Sequence, residues 1–432
     1  MKLIVVDPGH FHASLLLKNM YPVLDNRVAV FAQPGPEILD YLNRVFLFNS
    51  RTSNPTAWEW DVHLSSSPMA EVLRDKPGNI VVFSGRNRGK IGRVEASLSA
   101  GLHVLADKPW IIESGEMQAL EASLDLAERS GLAVYDIMTE RYEVTSLLQR
   151  SLVNAPEIFG AIDTGTDADP AIRARSIHHV MKTVAGVPLR RPAWFFDIAE
   201  YGEGLADVGT HVVDLVQWTA FPGECIDYRT DIEIRNARRW PLTLTKAQFS
   251  KITGEPDFPA PLHPHVGDRG LDYYCNNSVD YTLRGTHAHL EIIWNWEANE
   301  GPGDVYEAAF RGSRAQVEIR QGKPESYIPE VYVVPGEPAD HNRIVAAVRA
   351  KVSELQSSWP GLAAIDDGAA IRLSIPPHFR VGHEAHFGQV ITRFFDYVKQ
   401  PRSMPPWERA YMLAKYYVCT EGVAQAARQP IL

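Results

Sequence analysis

Cysteine is scarce in this sequence. Cys225, Cys275 and Cys419 are odd in number and far apart in a chain of 432 residues. They fit neither a disulfide framework nor a Cys-x-x-Cys metal motif, and read as buried free thiols. Long apolar runs are also missing: none approaches the roughly 20 residues that cross a bilayer. The first strand-like segment begins at Lys2, which leaves no room for a signal peptide, so a cytoplasmic protein without a membrane partner is expected. Excess positive charge is lacking as well. A formal net charge of −10 argues against a nucleic-acid partner, because a phosphate backbone calls for a basic surface. A small neutral or polar substrate suits that charge better. No metal is expected either, since His263 and His265, or His287 and His289, are pairs without an evident third ligand.

What the chain does have is a core. Its apolar share is 45% and its charged share 22%, the balance of a globular protein. Leu3–Val6, Val28–Phe31, Ile80–Phe83, His103–Ala106 and Ala133–Ile137 are continuous apolar or nearly apolar stretches, as parallel strands covered on both faces should be. Between them Ile91, Val94 and Leu98, and then Met117, Leu120, Leu124 and Ala127, recur at helical spacing, with Gly101 and Gly131 just past each segment. This alternation predicts an α/β fold: an N-terminal Rossmann doubly wound parallel sheet over residues 1–142. Beyond it, alternating stretches in 279–296 and short runs near 308–310 and 317–319 predict a mainly antiparallel sheet. Residues 143–432 then form an α+β substrate-binding and oligomerisation domain with a helical tail near 384–398 and 406–427. Residues 241–272, rich in Pro and Gly, read as a long surface excursion or lid.

Glycine is sparse where a dinucleotide fold wants Gly-x-Gly-x-x-Gly after its first strand. The segment here is Asp7-Pro8-Gly9-His10-Phe11-His12, with Asp7 and His12 in glycine positions. Only Gly9 survives, the position whose missing side chain admits a pyrophosphate. Ala32-Gln33-Pro34-Gly35 offers neither an acid for a ribose 2′-hydroxyl nor an Arg for a 2′-phosphate, so NAD or NADP is expected with NAD slightly favoured.

Lys108, in Ala106-Asp107-Lys108-Pro109, stands at the carboxyl end of a parallel strand, where open α/β sheets bind ligands. Residues 204–218 read as one helix that carries Asp207, His211 and Asp214 on one face. Carboxylates flanking an imidazole can set its tautomer and raise its basicity. A surface salt-bridge cluster or a thin metal set has the same spacing.

This combination resembles the Gfo/Idh/MocA family of glucose–fructose oxidoreductase and inositol dehydrogenase relatives. Its Glu-Lys-Pro motif stands here as Asp107-Lys108-Pro109, and its Asp-x-x-x-His helix is matched at Asp207 and His211, with Asp214 in place. The resemblance extends over most of the chain, with a divergent C-terminal region. It implies that Lys108 hydrogen-bonds the reacting oxygen and that His211, oriented by Asp207, is acid and base. It further implies cofactor contacts at Gly9, His10, Phe11, His12, Ser84, Arg86, Asn87, Asp107 and Lys108. A carbohydrate substrate would meet Lys108, Arg141, Trp194, Asp207, His211 and Asp214, in a homodimer or homotetramer.

Three functions share these residues. One is hydride exchange between nicotinamide and a hydroxyl or keto carbon of a sugar, glycoside or polyol. The second is an NAD-dependent glycosidase or lyase that oxidises transiently, with no net redox change. The third is a non-catalytic dinucleotide sensor. Arg173, Arg175, His178, His179 and Lys182 read as a polar helix, and His383 and His386 as a possible closure of the substrate site.

Overall fold

The protein is described by a computed structural model covering residues 1–184, 187–298 and 303–429. Six short apolar segments become the first sheet: β1 (Leu3–Val6), β2 (Arg27–Ala32), β3 (Glu59–Leu64), β4 (Ile80–Phe83), β5 (His103–Ala106) and β6 (Val134–Asp136). All pair in parallel in the order β3-β2-β1-β4-β5-β6. β1 and β4 are buried along their whole length, as their unbroken apolar sequences require. The order reverses beside β1, the switch point where such sheets bind ligands. β3 is one edge strand; its polar, half-exposed residues carry no continuous apolar signal.

The connecting helices follow the expected spacing. Lys90–Ser99 buries Ile91, Val94 and Leu98, and Met117–Ser130 buries Leu120, Leu124 and Ala127 before Gly131 caps it at φ 62°. One connection departs from the dinucleotide pattern. The helix after β1 is only His12–Leu15.

By internal contacts the chain divides into two compact units. The first takes Met1–Thr139 together with Trp194–Gly202 and His383–Arg409; the second takes the rest. A boundary at residue 142 therefore misplaces two later segments. The His383–Lys399 helix buries Phe387, Val390, Phe394 and Phe395, and Phe395 meets Tyr21 edge to face at 5.4 Å.

The second unit is built on a ten-stranded mixed sheet. Its strands are β7 (Ile172–His179), β10 (Ile232–Leu244), β11 (Val266–Gly267), β12 (Gly270–Leu283), β13 (Thr286–Asn295), β14 (Val305–Arg311), β15 (Ala315–Arg320), β16 (Glu330–Pro335), β17 (Ala363–Asp366) and β18 (Ile371–Ser374). Two-residue strands β8 (Thr183–Val184) and β9 (Val187–Pro188) pair separately. Pairing is antiparallel except between β13 and β7. The polar stretch at 173–179, read as helical, is strand β7: Arg173 and Arg175 face solvent while Ile172 and Ala174 are buried. The period is two rather than 3.6, so its cations stand on a sheet face. Residues 241–272 are more ordered than an excursion. They hold the end of β10, a capped helix Lys246–Thr253 and a 3₁₀ segment Ala260–His265, with Phe249, Ile252 and Leu262 buried. Cys275 and Cys419 are buried, but Cys225 is exposed. Among the described residues no helix is long and apolar enough to cross a membrane.

Candidate functional site

At the carboxyl ends of β1 and β2 a cleft of about 230 Å³ opens in the first unit, lined by Gly9, Ala32, Gln33, Glu37, Arg86, Arg93 and Trp194 among others. Its floor depends on glycine. A Cβ on Gly85 would lie 2.5 Å from the Asp7 carbonyl oxygen, and one on Gly9 would lie 2.9 Å from Trp194 Cζ2. Trp194 closes one side: its indole N–H donates to Glu37 Oε1 at 3.0 Å, and the Arg86 guanidinium stacks over its ring at 5.2 Å. Asp7 holds the β2 end, its Oδ1 accepting from the Gln33 N–H at 3.1 Å.

Behind this cleft the two histidines of the β1 turn converge on Asp107. His12 Nδ1 stands 2.9 Å and His10 Nδ1 3.0 Å from Asp107 Oδ2, and Ser84 Oγ donates to the same oxygen at 3.1 Å. His12 Nε2 lies 3.1 Å from Nε2 of His383. Burial pushes the His12 imidazole down to about 3 against the pull of Asp107, so it is neutral at ordinary pH. Burial alone would raise the Asp107 carboxyl, but His12 and His10 beside it hold it well below the usual carboxylate range. One ligand atom from each of His10, His12 and Asp107 falls within 4.8 Å of the others, a set able to hold a metal.

Lys108 follows at the end of β5, buried, before a cis peptide bond to Pro109. The backbone on either side of it is held by Lys90, whose buried ammonium donates to the Asp107 carbonyl at 2.7 Å, the Pro109 carbonyl at 2.9 Å and Asn87 Oδ1 at 2.6 Å. Asn87 in turn donates to the Tyr201 carbonyl at 2.6 Å.

In the second unit Gly204–Asp207 and Gly209–Ala220 are two helices separated by Val208, itself helical at φ −71° and ψ −35°. Asp207 is buried, and His211, one turn on, is half-buried. Asp214 turns elsewhere. Arg141 grips it with two hydrogen bonds, Nε to Oδ2 at 2.5 Å and Nη2 to Oδ1 at 2.7 Å, and Lys415 Nζ approaches Oδ1 at 3.4 Å. Burial would raise the Asp214 carboxyl, but these two cations hold it below its usual value.

A family model described as "Putative oxidoreductase C terminal domain" matches residues 148–427. A solved structure of a putative oxidoreductase from Parabacteroides merdae is 39% identical, over 99% of this chain and 97% of that one, with a TM-score of 0.95. GenD2 from gentamicin A biosynthesis, in complex with NAD, is 14% identical over 99% of this chain and 94% of its own, with a TM-score of 0.57. A single-residue mutant of KijD10, a 3-ketoreductase from Actinomadura kijaniata, in complex with TDP-benzene and NADP, is also 14% identical, over 98% and 97%, with a TM-score of 0.58. No curated protein matches the chain. The chain belongs to the oxidoreductases of the Gfo/Idh/MocA type.

Against this family, several expected roles shift. Of the expected cofactor contacts, Gly9 and Arg86 line the cleft. His10, His12, Ser84 and Asp107 turn their side chains to one another instead, while Asn87 is engaged by Lys90 and Tyr201. Phe11 packs against the rings of His10 and His12 at 4.5 and 4.4 Å. Trp194, expected to stack on a sugar, is a wall of the cleft in the first unit, with its ring already packed on Gly9. Arg141 and Asp214, expected on substrate, are buried against each other as an ion pair. His383 belongs to the first unit, against His12.

Sequence reasoning missed Glu37, Arg93 and Lys90 in this Gfo/Idh/MocA oxidoreductase. The loop Ala32-Gln33-Pro34-Gly35 holds no acid, and Glu37 stands two residues beyond it at the start of the next helix. Arg93 and Lys90 lie on a helix whose apolar stripe alone was used, and nothing in their spacing marks them. The His10–His12–Asp107 trio carries no spacing signal along the chain, because the end of β5 supplies one member and the β1 turn the other two.

Proposed function

We propose that this chain is a nicotinamide-dinucleotide oxidoreductase acting on a hydroxyl or keto carbon of a sugar, glycoside or polyol. The observation that carries it is the cleft beside Gly9, at the switch point of the parallel sheet, with Arg86 and Arg93 for phosphate and Glu37 for ribose hydroxyls. These residues fit the dinucleotide: Gly9 and Gly85 keep backbone bare where a side chain would clash, and the two guanidiniums supply the charge that a pyrophosphate demands. They replace the usual helix terminus, which a four-residue helix after β1 does not provide. The fold matches NAD-bound GenD2 and NADP-bound KijD10, a ketoreductase, which supports the cofactor class and a carbonyl substrate.

Bound there, the nicotinamide would supply the hydride acceptor or donor. Lys108, held at the carboxyl edge of β5, donates a hydrogen bond to the reacting oxygen. His211 takes the hydroxyl proton during oxidation and returns it during reduction, and Asp207 one turn before it orients the ring. Proton transfer by such a group contributes about 10²–10⁴-fold. Denaturing purified protein and weighing the small molecules released by mass spectrometry is the direct test. NAD or NADP should appear, or bind on addition. Lys108→Ala and His211→Ala should each lower nicotinamide reduction with a responsive sugar by about 10²-fold or more. Unimpaired variants, or no dinucleotide binding by calorimetry, would sink the assignment. Glycoside cleavage without net change in nicotinamide absorbance would replace net redox by transient oxidation.

A further inference from the structure

We propose that His10, His12 and Asp107 form a binding site for a divalent transition metal of the zinc class, with His383 as a positioning residue. The trio lies wholly within the first unit and does not depend on the dinucleotide reading. Its geometry is compact. Both Nδ1 atoms approach Asp107 Oδ2, at 2.9 and 3.0 Å, and the two imidazoles meet edge to face with centroids 4.3 Å apart. Ligand atoms about 2.0–2.2 Å from a tetrahedral zinc are separated by roughly 3.3 Å, so the two nitrogen–oxygen separations need widen by only a few tenths of an ångström.

The arrangement is uneven for a plain hydrogen-bond network. His10, His12 and Ser84 all crowd Oδ2, while Asp107 Oδ1 is buried with no hydrogen-bond partner among the described residues. Oδ2 is thus the oxygen that stands beside both imidazoles as a ligand atom, and Oδ1 keeps unused acceptor capacity in a site almost completely shielded from water. Two imidazoles and one carboxylate select borderline metals such as zinc over magnesium or calcium, which prefer oxygen ligands throughout. Three protein ligands leave a fourth position for water or another oxygen donor.

His383 completes the logic from a distant part of the sequence. With the metal on Nδ1 of His12, the ring proton moves to Nε2, which then donates to Nε2 of His383, 3.1 Å away. Outer partners of this kind fix the tautomer of a ligating histidine and are typically worth 10–100-fold in metal affinity.

The experiment is a metal count. Tag-free protein is stripped with a chelator, dialysed against Zn²⁺, and analysed by atomic emission. One zinc per chain is expected, lost in His10→Ala/His12→Ala and in Asp107→Asn, which keeps the side-chain shape. It should be retained in His287→Ala/His289→Ala, a control for surface histidines. Circular dichroism establishes that each variant is folded. Cobalt titration should show ligand-field absorption typical of a low-coordinate nitrogen–oxygen site, weakened about 10–100-fold in affinity by His383→Ala and restored by His383→Gln, whose carbonyl can accept the same proton. Zinc absent from the wild type, or equal in the wild type and both site variants, would overturn the site. Because the readout is metal content, its failure leaves the dinucleotide reading untouched, and the converse holds.

Discussion

At the scale of single residues, buried charges decide more than exposed ones. Asp214 sits between Arg141 and Lys415 with almost no access to water. Neutralising it takes this carboxylate charge away from two buried cations, so Asp214→Asn should cost about 3–5 kcal/mol in urea-unfolding free energy. A loss below about 1 kcal/mol would mean that the pair is solvated. Glu143 carries the clearest pH dependence. Burial, then the neighbouring Glu140, pushes its carboxyl up to about 7. The folded state thus holds this proton more tightly than the unfolded chain. Its contribution to stability is complete below the ordinary value near 4.5 and is lost as pH rises to about 7. Unfolding midpoints at pH 5 and pH 8 should show the wild type losing up to about 3 kcal/mol relative to Glu143→Gln. Equal behaviour of the two proteins would refute the shift.

At the scale of elements, the β1 turn and the β4 end are built as one piece. His10 N–H donates to the Ser84 carbonyl at 3.0 Å, and Gly85 lies against the Asp7 carbonyl so closely that no Cβ fits. Gly85→Ala must push the two turns apart, at about 1–3 kcal/mol, and should weaken dinucleotide binding measured by calorimetry while leaving the second unit's circular dichroism bands in place. Undiminished binding would show that the cleft does not depend on this contact. The strands themselves were legible from their apolar runs, because a parallel strand covered on both faces must be apolar throughout. β3 was not, because its residues are polar and half-exposed and escape that demand. Strand β7 misled for a related reason. Its exposed face carries Arg173 and Arg175, and a run of mixed polar residues has no period until one knows which face is buried.

At the scale of the whole molecule, the first unit is assembled from three separate stretches of chain. The His383–Lys399 helix belongs to it through Phe387 beside His12 and Phe395 beside Tyr21. Phe395→Ala should therefore lower the stability of the dinucleotide-fold unit by about 3–5 kcal/mol, seen as an earlier calorimetric transition. A transition unchanged in temperature would place this helix outside the unit's cooperative core.

The sequence by itself determined the parallel sheet, the antiparallel second sheet and the family motifs at Lys108, Asp207 and His211. Each is written in local periodicity or a short spacing, which neighbouring residues suffice to specify. What the chain order could not show is how the altered glycine loop packs, with His10 and His12 meeting Asp107. Asp107 and His12 are 95 residues apart, and His383 lies far beyond both, so no pattern along the chain could pair them. Likewise Glu37 and Arg93 acquire meaning only because the switch point of the sheet turns them toward one cleft. Burial then does the rest: it leaves the imidazole of His12 neutral and one edge of the Asp107 carboxylate unmatched.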